Sequence, residues 1–274
     1  MKLPPGDRDA ASLRRPANRQ EESMDRQFHI NQNGCSICCR LYAPDGQTVE
    51  RVVVYGHGFG GHKDNRAAQR FADYVLTKQK GVAVLCFDWP CHGSDARKKL
   101  TLDDCSRYLE CVCDHVRAQF PASALQAYAT SFGGYLMLKY IAERGSPFGK
   151  LALRCPAIPM HEVLTGAIIG TEEQEKLDRG KDALVGFDRK IRISPDFLDS
   201  LRRADVREMD FTPWRDDILI LHGTKDEIVP VAGVEAFAQK NGILFFPIEN
   251  ADHRFIDAGK MREAITLIAD FLAD

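Results

Sequence analysis

Short apolar runs alternate with amphipathic segments along most of this chain, and few folds accept that rhythm. Residues 51–55, 81–88, 125–130, 150–155, 217–221 and 243–248 are rich in Val, Ile, Leu and Phe and have the length of strands. Between them, residues 65–80, 101–119, 132–143, 231–240 and 262–272 set apolar side chains three or four apart, as a helix with one buried face requires. Thr101 or an adjacent residue is expected to cap the second of these, and Asp103 and Asp104 stand in its first turn, where the helix dipole favours acids. Strands apolar on both faces and separated by helices build a largely parallel sheet covered on both sides. Residues 27–33 and 35–42 add a hairpin that turns at Gly34. The expected class is α/β.

The alternation fails between residues 159 and 216, a charged, helix-rich stretch with one strand-like patch at 190–193. A structureless loop of that size is improbable in a compact domain. Residues 159–216 are therefore expected to form an inserted helical cap on a core made of 27–158 and 217–274. Ser194-Pro195 reads as the capped start of a cap helix carrying Phe197, Leu198 and Leu201. Residues 1–26 are polar, contain Pro4, Pro5 and Pro16, and lack the apolar core of a secretory signal. They are expected to be a mobile tail, with Met24 a candidate start of translation just before the first strand.

Lys plus Arg total 37 against 39 for Asp plus Glu, a net charge of −2, which gives no support for a nucleic-acid or anionic-membrane partner. No apolar run approaches the roughly 18 residues of a membrane span. The absence of an export signal points to the cytoplasm and to thiols rather than disulfides for the nine cysteines. Cys35, Cys38, Cys39, Cys111 and Cys113 do not make the two spaced pairs of a structural zinc site and read as buried thiols. No Walker lysine motif or Gly-x-Gly-x-x-Gly fingerprint implies a nucleotide cofactor.

The strongest local signal for chemistry is Ala129-Thr130-Ser131-Phe132-Gly133-Gly134, entered by a strand and left by a helix. A tight turn in that context lifts a serine above the sheet edge. A serine at a helix start is, taken alone, more often a simple cap. A serine hydroxyl also needs a base to take its proton and an acid to orient the base. Asp226 follows the strand at 217–221 in His222-Gly223-Thr224-Lys225-Asp226, and His253 follows the next strand in Ala251-Asp252-His253. All three residues thus fall at the carboxyl ends of strands, where open α/β sheets bind ligands.

With Ser131, Asp226 and His253 in that order, the chain resembles the α/β-hydrolases of the serine-esterase and lipase type. It is most similar to capped cinnamoyl/feruloyl-type esterases and to hydrolases of the monoacylglycerol-lipase and serine-aminopeptidase kind. The resemblance runs from about residue 27 to the C-terminus. It rests on His57-Gly58-Phe59-Gly60-Gly61-His62-Lys63-Asp64, Asp88-Trp89-Pro90-Cys91-His92-Gly93-Ser94, the Ser131 turn, His222-Gly223-x-x-Asp226 and Asp252-His253. Cys91 and Ala129 stand where the family usually has glycine. The resemblance implies an α/β-hydrolase fold, a catalytic triad of Ser131, Asp226 and His253, and an oxyanion hole from the backbone N–H groups of Phe59 and Phe132. It implies hydrolysis of small-molecule carboxylic esters through an acyl-enzyme, with no cofactor and no metal. An apolar pocket walled by some of the cap residues Leu164, Ile168, Ile169, Leu184, Phe187, Phe197, Leu198 and Leu201, most of which are expected to pack within the cap itself, would favour aromatic or short-to-medium acyl esters. Aminopeptidase, thioesterase and acyltransferase activities share this chemistry, and a hydrolase fold that only binds a ligand is the reading from another class. Homodimerisation is left open.

Other residues have plainer roles. Glu227 competes with Asp226 but is more simply a solvated charge. Asp252 is expected to be structural, His57 and His92 to brace loops, and His62-Lys63-Asp64 to open the first helix.

Overall fold

The structure is a computed structural model and describes residues 23–274 apart from 96 and 188. The expected tail at 1–26 lies outside the described residues up to 22. Residues 23–26 belong to the first strand, so that strand begins earlier than the polar composition suggests. β1 (Ser23–Gln32) and β2 (Cys35–Pro44) form the hairpin, turning at Asn33 and Gly34, both with positive φ. The core then alternates as expected: β3 (Arg51–Gly56), α1 (Arg66–Lys78), β4 (Val82–Phe87), α2 (Leu102–Gln119), β5 (Ala124–Thr130), α3 (Phe132–Arg144) and β6 (Leu151–Arg154).

After β6 the chain leaves the sheet. It forms the short α4 (Met160–Val163), a π-helical turn at Leu164–Ile168, α5 (Thr171–Asp178), β7 (Ala183–Val185), β8 (Ile191–Ile193) and α6 (Pro195–Arg203). β7 and β8 pair as a small antiparallel hairpin. The sequence reading anticipated only the second of these strands, because three residues before a glycine leave no periodicity to detect. Ser194 caps α6 by accepting from the Phe197 N–H at 3.3 Å. The chain returns through β9 (Ile218–Gly223), α7 (Val231–Asn241), β10 (Leu244–Ile248) and α8 (Ala258–Ala273).

The eight strands of the main sheet run in the order β1-β2-β4-β3-β5-β6-β9-β10. All pairings from β4 to β10 are parallel. β4 and β9 are buried at every residue, because helices cover both faces. The α2, α3 and α7 side chains pack on one face and those of α1 and α8 on the other. β10 is the exposed edge, and there Pro247 forgoes a hydrogen bond the edge does not need.

The crossing of α3 over the ends of β3 and β5 is tightly packed. A Cβ on Gly133 would lie 2.6 Å from the carbonyl oxygens of both Gly56 and His57. A Cβ on Gly134 would lie 2.9 Å from that of Pro156. Glycine is thus required in the first turn of the helix, while Ala129 is accommodated in the strand opposite Gly56. Gly133→Ala is expected to lower the stability by about 2 kcal/mol, as overpacking against rigid backbone does. Urea denaturation with an unchanged slope would measure it, and an unshifted midpoint would contradict it.

Candidate active site

Three loops at the carboxyl edge of the sheet meet over the start of α3. Ser131 occupies the turn between β5 and α3 at φ 51° and ψ −119°, a conformation that L-residues rarely adopt. Its N–H donates to the Arg154 carbonyl at 3.2 Å, and its own carbonyl accepts from Tyr135 and Ala157 at 3.1 Å each. The Ser131 side chain makes no capping bond to α3. The simple helix-cap role is therefore excluded, and Oγ instead lies 3.1 Å from His253 Nε2.

His253 Nδ1 lies 2.7 Å from Asp226 Oδ2, which completes the relay expected from sequence. Asp226 is buried and satisfied on both oxygens. Oδ1 accepts from the backbone N–H groups of Ile228 at 2.9 Å and Val229 at 2.7 Å. Oδ2 takes His253 and lies 3.1 Å from His222 Nε2. Burial works to raise the carboxyl pKa, but hydrogen bonds from His222 and His253 outweigh it and hold Asp226 well below the usual carboxylate range. The group is ionised at any working pH and can stabilise a charged imidazole beside it. Gly223 lets the two loops meet, since a Cβ there would lie 2.3 Å from the Ala251 carbonyl oxygen.

The competing residues fall where their plainer roles predict. Glu227 is exposed, and Asp252 accepts the Arg254 N–H at 2.7 Å within its own loop. His57 and His92 are buried away from the relay. The proton on His57 Nδ1 goes to the Gly58 carbonyl at 2.8 Å, and Nε2 accepts from the Trp89 N–H at 3.3 Å. His92 Nδ1 donates to the Pro90 carbonyl at 2.8 Å. The Trp89 indole returns a bond to the His57 carbonyl at 3.0 Å, while Asp88 accepts from Lys63 N at 2.7 Å and Ser94 N at 2.8 Å. These bonds join the two glycine-rich loops into one braced unit. It presses Gly58 against the serine, where a Cβ would lie 3.2 Å from Ser131 Cβ.

Phe59 and Phe132, the expected oxyanion donors, are brought together by this bracing. Phe132 is the first residue of α3, so helix geometry leaves its N–H without an intrahelical acceptor. Phe59 follows Gly58 in the turn closed by the Gly61 N–H on the Gly58 carbonyl at 3.0 Å. The two rings meet edge to face at 5.6 Å. Phe132 is fully buried in the core, whereas Phe59 lines the cleft.

Cys155, Asp226 and His253 bring possible metal-ligand atoms within 4.8 Å of one another. Both Asp226 oxygens are already engaged by N–H donors. Burial, aided by Asp226, holds the Cys155 thiol well above its ordinary pKa and so in the protonated form. The chemistry this cluster offers is proton transfer from a serine to an imidazole.

The relay opens into a cleft of about 1150 Å³. Ile168, Phe187, Arg189 and Lys190 come from the excursion between β6 and β9, so that excursion walls the cleft. Phe197, Leu198 and Leu201 of α6 turn instead into the core. The lining also departs from the apolar pocket expected from sequence. Arg66, Arg70, Arg154, Arg189, Lys190 and Arg254 all border it, and no Asp or Glu does among the described residues. The sequence reading passed over these cations. The one available signal was Arg154, a charge closing the otherwise apolar run Leu151-Ala152-Leu153.

Residues 47–177 match the family model described as serine aminopeptidase, S33, a span that includes Phe59 and Ser131 and ends before Asp226 and His253. A monoacylglycerol lipase of Mycolicibacterium smegmatis is 23% identical over 226 residues, covering 73% of this chain and 78% of that protein. The monoglyceride lipase homolog of monkeypox virus is 22% identical, covering 74% and 80%. Est1E of Butyrivibrio proteoclasticus, solved with ferulic acid, superposes with a TM-score of 0.73 at 20% identity over 90% of this chain and all of its own. Mouse alpha/beta hydrolase domain-containing protein 10 superposes at 0.67 and 15% identity, covering 90% and 98%. Among the described residues no helix is long and apolar enough to cross a membrane. The fold is that of the α/β-hydrolases. Within it the chain is similar to serine hydrolases.

The two bracing histidines generate a pH prediction. Burial pushes both His57 and His92 down from 6.5 to about 3, so they stay neutral in the folded protein. The unfolded chain binds their protons as pH falls through about 6.5, so their contribution to stability is complete above that value and is lost on acidification. At about pH 5 each is expected to cost about 2 kcal/mol. Denaturation midpoints at neutral and mildly acidic pH check this, and His92→Gln should flatten the dependence.

Proposed function

We propose that the protein hydrolyses carboxylic esters through an acyl-enzyme formed on Ser131. The observation that carries this reading is the continuous relay from Ser131 Oγ through His253 to the ionised Asp226, set on a strained turn at a helix N-terminus. His253 Nε2 takes the Ser131 proton as Oγ attacks the ester carbonyl carbon. The carbonyl oxygen becomes an oxyanion, held by the Phe59 and Phe132 N–H groups. His253 then gives its proton to the departing alcohol as the ester C–O bond breaks. Water, deprotonated by His253, attacks the acyl-enzyme, and the proton returns to Ser131 as the acid leaves. Asp226 keeps the imidazole in the required tautomer and stabilises its cationic form. Each oxyanion donor is worth roughly 2.7–4 kcal/mol of barrier.

Residues 159–216 act in this reading as a cap, because Ile168, Phe187, Arg189 and Lys190 close one side of the cleft. Relatives named as monoacylglycerol lipases and a structural neighbour bound to ferulic acid support small esters as substrates.

Ser131→Ala is expected to abolish p-nitrophenyl ester turnover and labelling by a fluorophosphonate probe while leaving the melting temperature near that of wild type. Asp226→Asn should lower kcat by about 10⁴-fold, through the wrong imidazole tautomer. Full turnover in Ser131→Ala, or faster cleavage of aminoacyl amides than of esters by the wild type, would overturn the reading.

A further inference from the structure

The cations of the cleft are not a reflection of the whole chain, whose formal charge is −2. Arg154 is the most informative of them. It closes β6 in register with Thr130, beside the serine turn, and is only 6% exposed. Its guanidinium lies over the Phe255 ring at 4.9 Å. Its hydrogen bonds go to the Arg254 carbonyl at 3.3 Å and the Met261 sulfur at 3.9 Å, the neutral hydroxyls of Tyr55 and Tyr128 lie near it, and Nε has no partner. A guanidinium does not shed its proton, so this is a buried positive charge with no carboxylate against it. Elsewhere the chain pairs such groups, as Arg40 with Asp25 and Asp64, or Arg97 with Asp104.

A second observation comes from α1. Arg66 and Arg70 border the same cleft from the first turns of that helix, which holds no acid there. Two cations one turn apart repel, and the positive end of the helix dipole disfavours both. Neither forms an ion pair among the described residues. Arg189, also without one, stands across the cleft, close enough to help depress His57 and His92. Tyr55, Phe255 and Met261 add apolar wall to the cleft.

We propose that the cleft selects esters carrying an anionic group, a carboxylate or a phosphate, which Arg154 receives at the cleft floor and Arg66 and Arg70 attract at its mouth. The inference rests on the ester-hydrolase reading above and names its substrate class. A carboxylate or phosphate takes the forked guanidinium donors in pairs and neutralises a charge the fold leaves uncompensated.

The test compares matched esters: p-nitrophenyl hexanoate with mono-p-nitrophenyl adipate, and hexanoylglycerol with hexanoylglycerol phosphate. At least one anionic member should exceed its neutral partner in kcat/KM by about tenfold, and the advantage should shrink with added salt. The pair that shows it identifies whether the anion is an acyl carboxylate or an alcohol-side phosphate. Arg154→Met should reduce that ratio about tenfold, mainly through KM. The exposed double variant Arg66→Gln/Arg70→Gln should reduce it too, and serves if Arg154→Met fails to fold. Preference for the neutral ester in both pairs, or equal loss on both members in the variants, overturns the inference while leaving ester hydrolysis standing. If no ester is turned over, the ester reading fails, and calorimetry on Ser131→Ala with adipate and with inorganic phosphate decides the anion site alone. Binding that Arg154→Met or the double variant abolishes supports the site, and absence of binding rejects it.

Discussion

The backbone reversal at Ser131 sets the position of every group in the proposed catalytic centre. A positive φ at a non-glycine residue costs of order 1–3 kcal/mol and persists only where the surroundings over-determine it. Here they do. The Ser131 N–H is held by β6 through Arg154, and its carbonyl receives both Tyr135 from α3 and Ala157 from the segment after β6. Gly133 then lets α3 lie against the Gly56 and His57 carbonyls, closer than any side chain permits. The strain lifts Oγ away from the helix it would otherwise cap and toward His253.

The two glycine-rich loops play a complementary part. Asp88, His57, His92 and Trp89 are buried, and their hydrogen bonds run from loop to loop rather than to solvent. Gly93 marks how tightly this unit is drawn together, since a Cβ there would overlap the Asp88 carboxylate. Two histidines inside such a unit are held neutral by burial and serve as neutral donors or acceptors. His253 stands on a partly exposed loop, between an ionised carboxylate and the serine hydroxyl. The division of labour among the histidines is thus a division of solvent exposure and partners, not of residue type.

Electrostatics separates the two ends of the cleft. Asp226 supplies the negative charge of the relay, fully hydrogen-bonded and turned away from the opening. The opening itself is bordered by cations, some of them held in place without a counter-charge. A cleft lined by one sign of charge concentrates ligands of the other sign.

Much of this was legible in the amino-acid sequence. The alternation of apolar runs and helical spacing located the six core strands from β3 onward and the five helices that cover them, because periodicity records which faces are buried. Ser131, Asp226 and His253 were legible because each sits in a short motif at a strand end, where the backbone geometry is local. Tertiary structure alone decided the rest. The start of β1 four residues inside the polar tail depends on pairing with β2, and the β7 strand on pairing with β8; cross-strand bonds leave no mark on so short a stretch. The choice between helix cap and relay for Ser131, and the neutrality of His57 and His92, depend on which loops close over them. The cationic cleft was hidden for the same reason: the Arg66 and Arg70 pair, Arg154 and Arg189 come from distant parts of the chain, and a net charge near zero conceals how the fold gathers them.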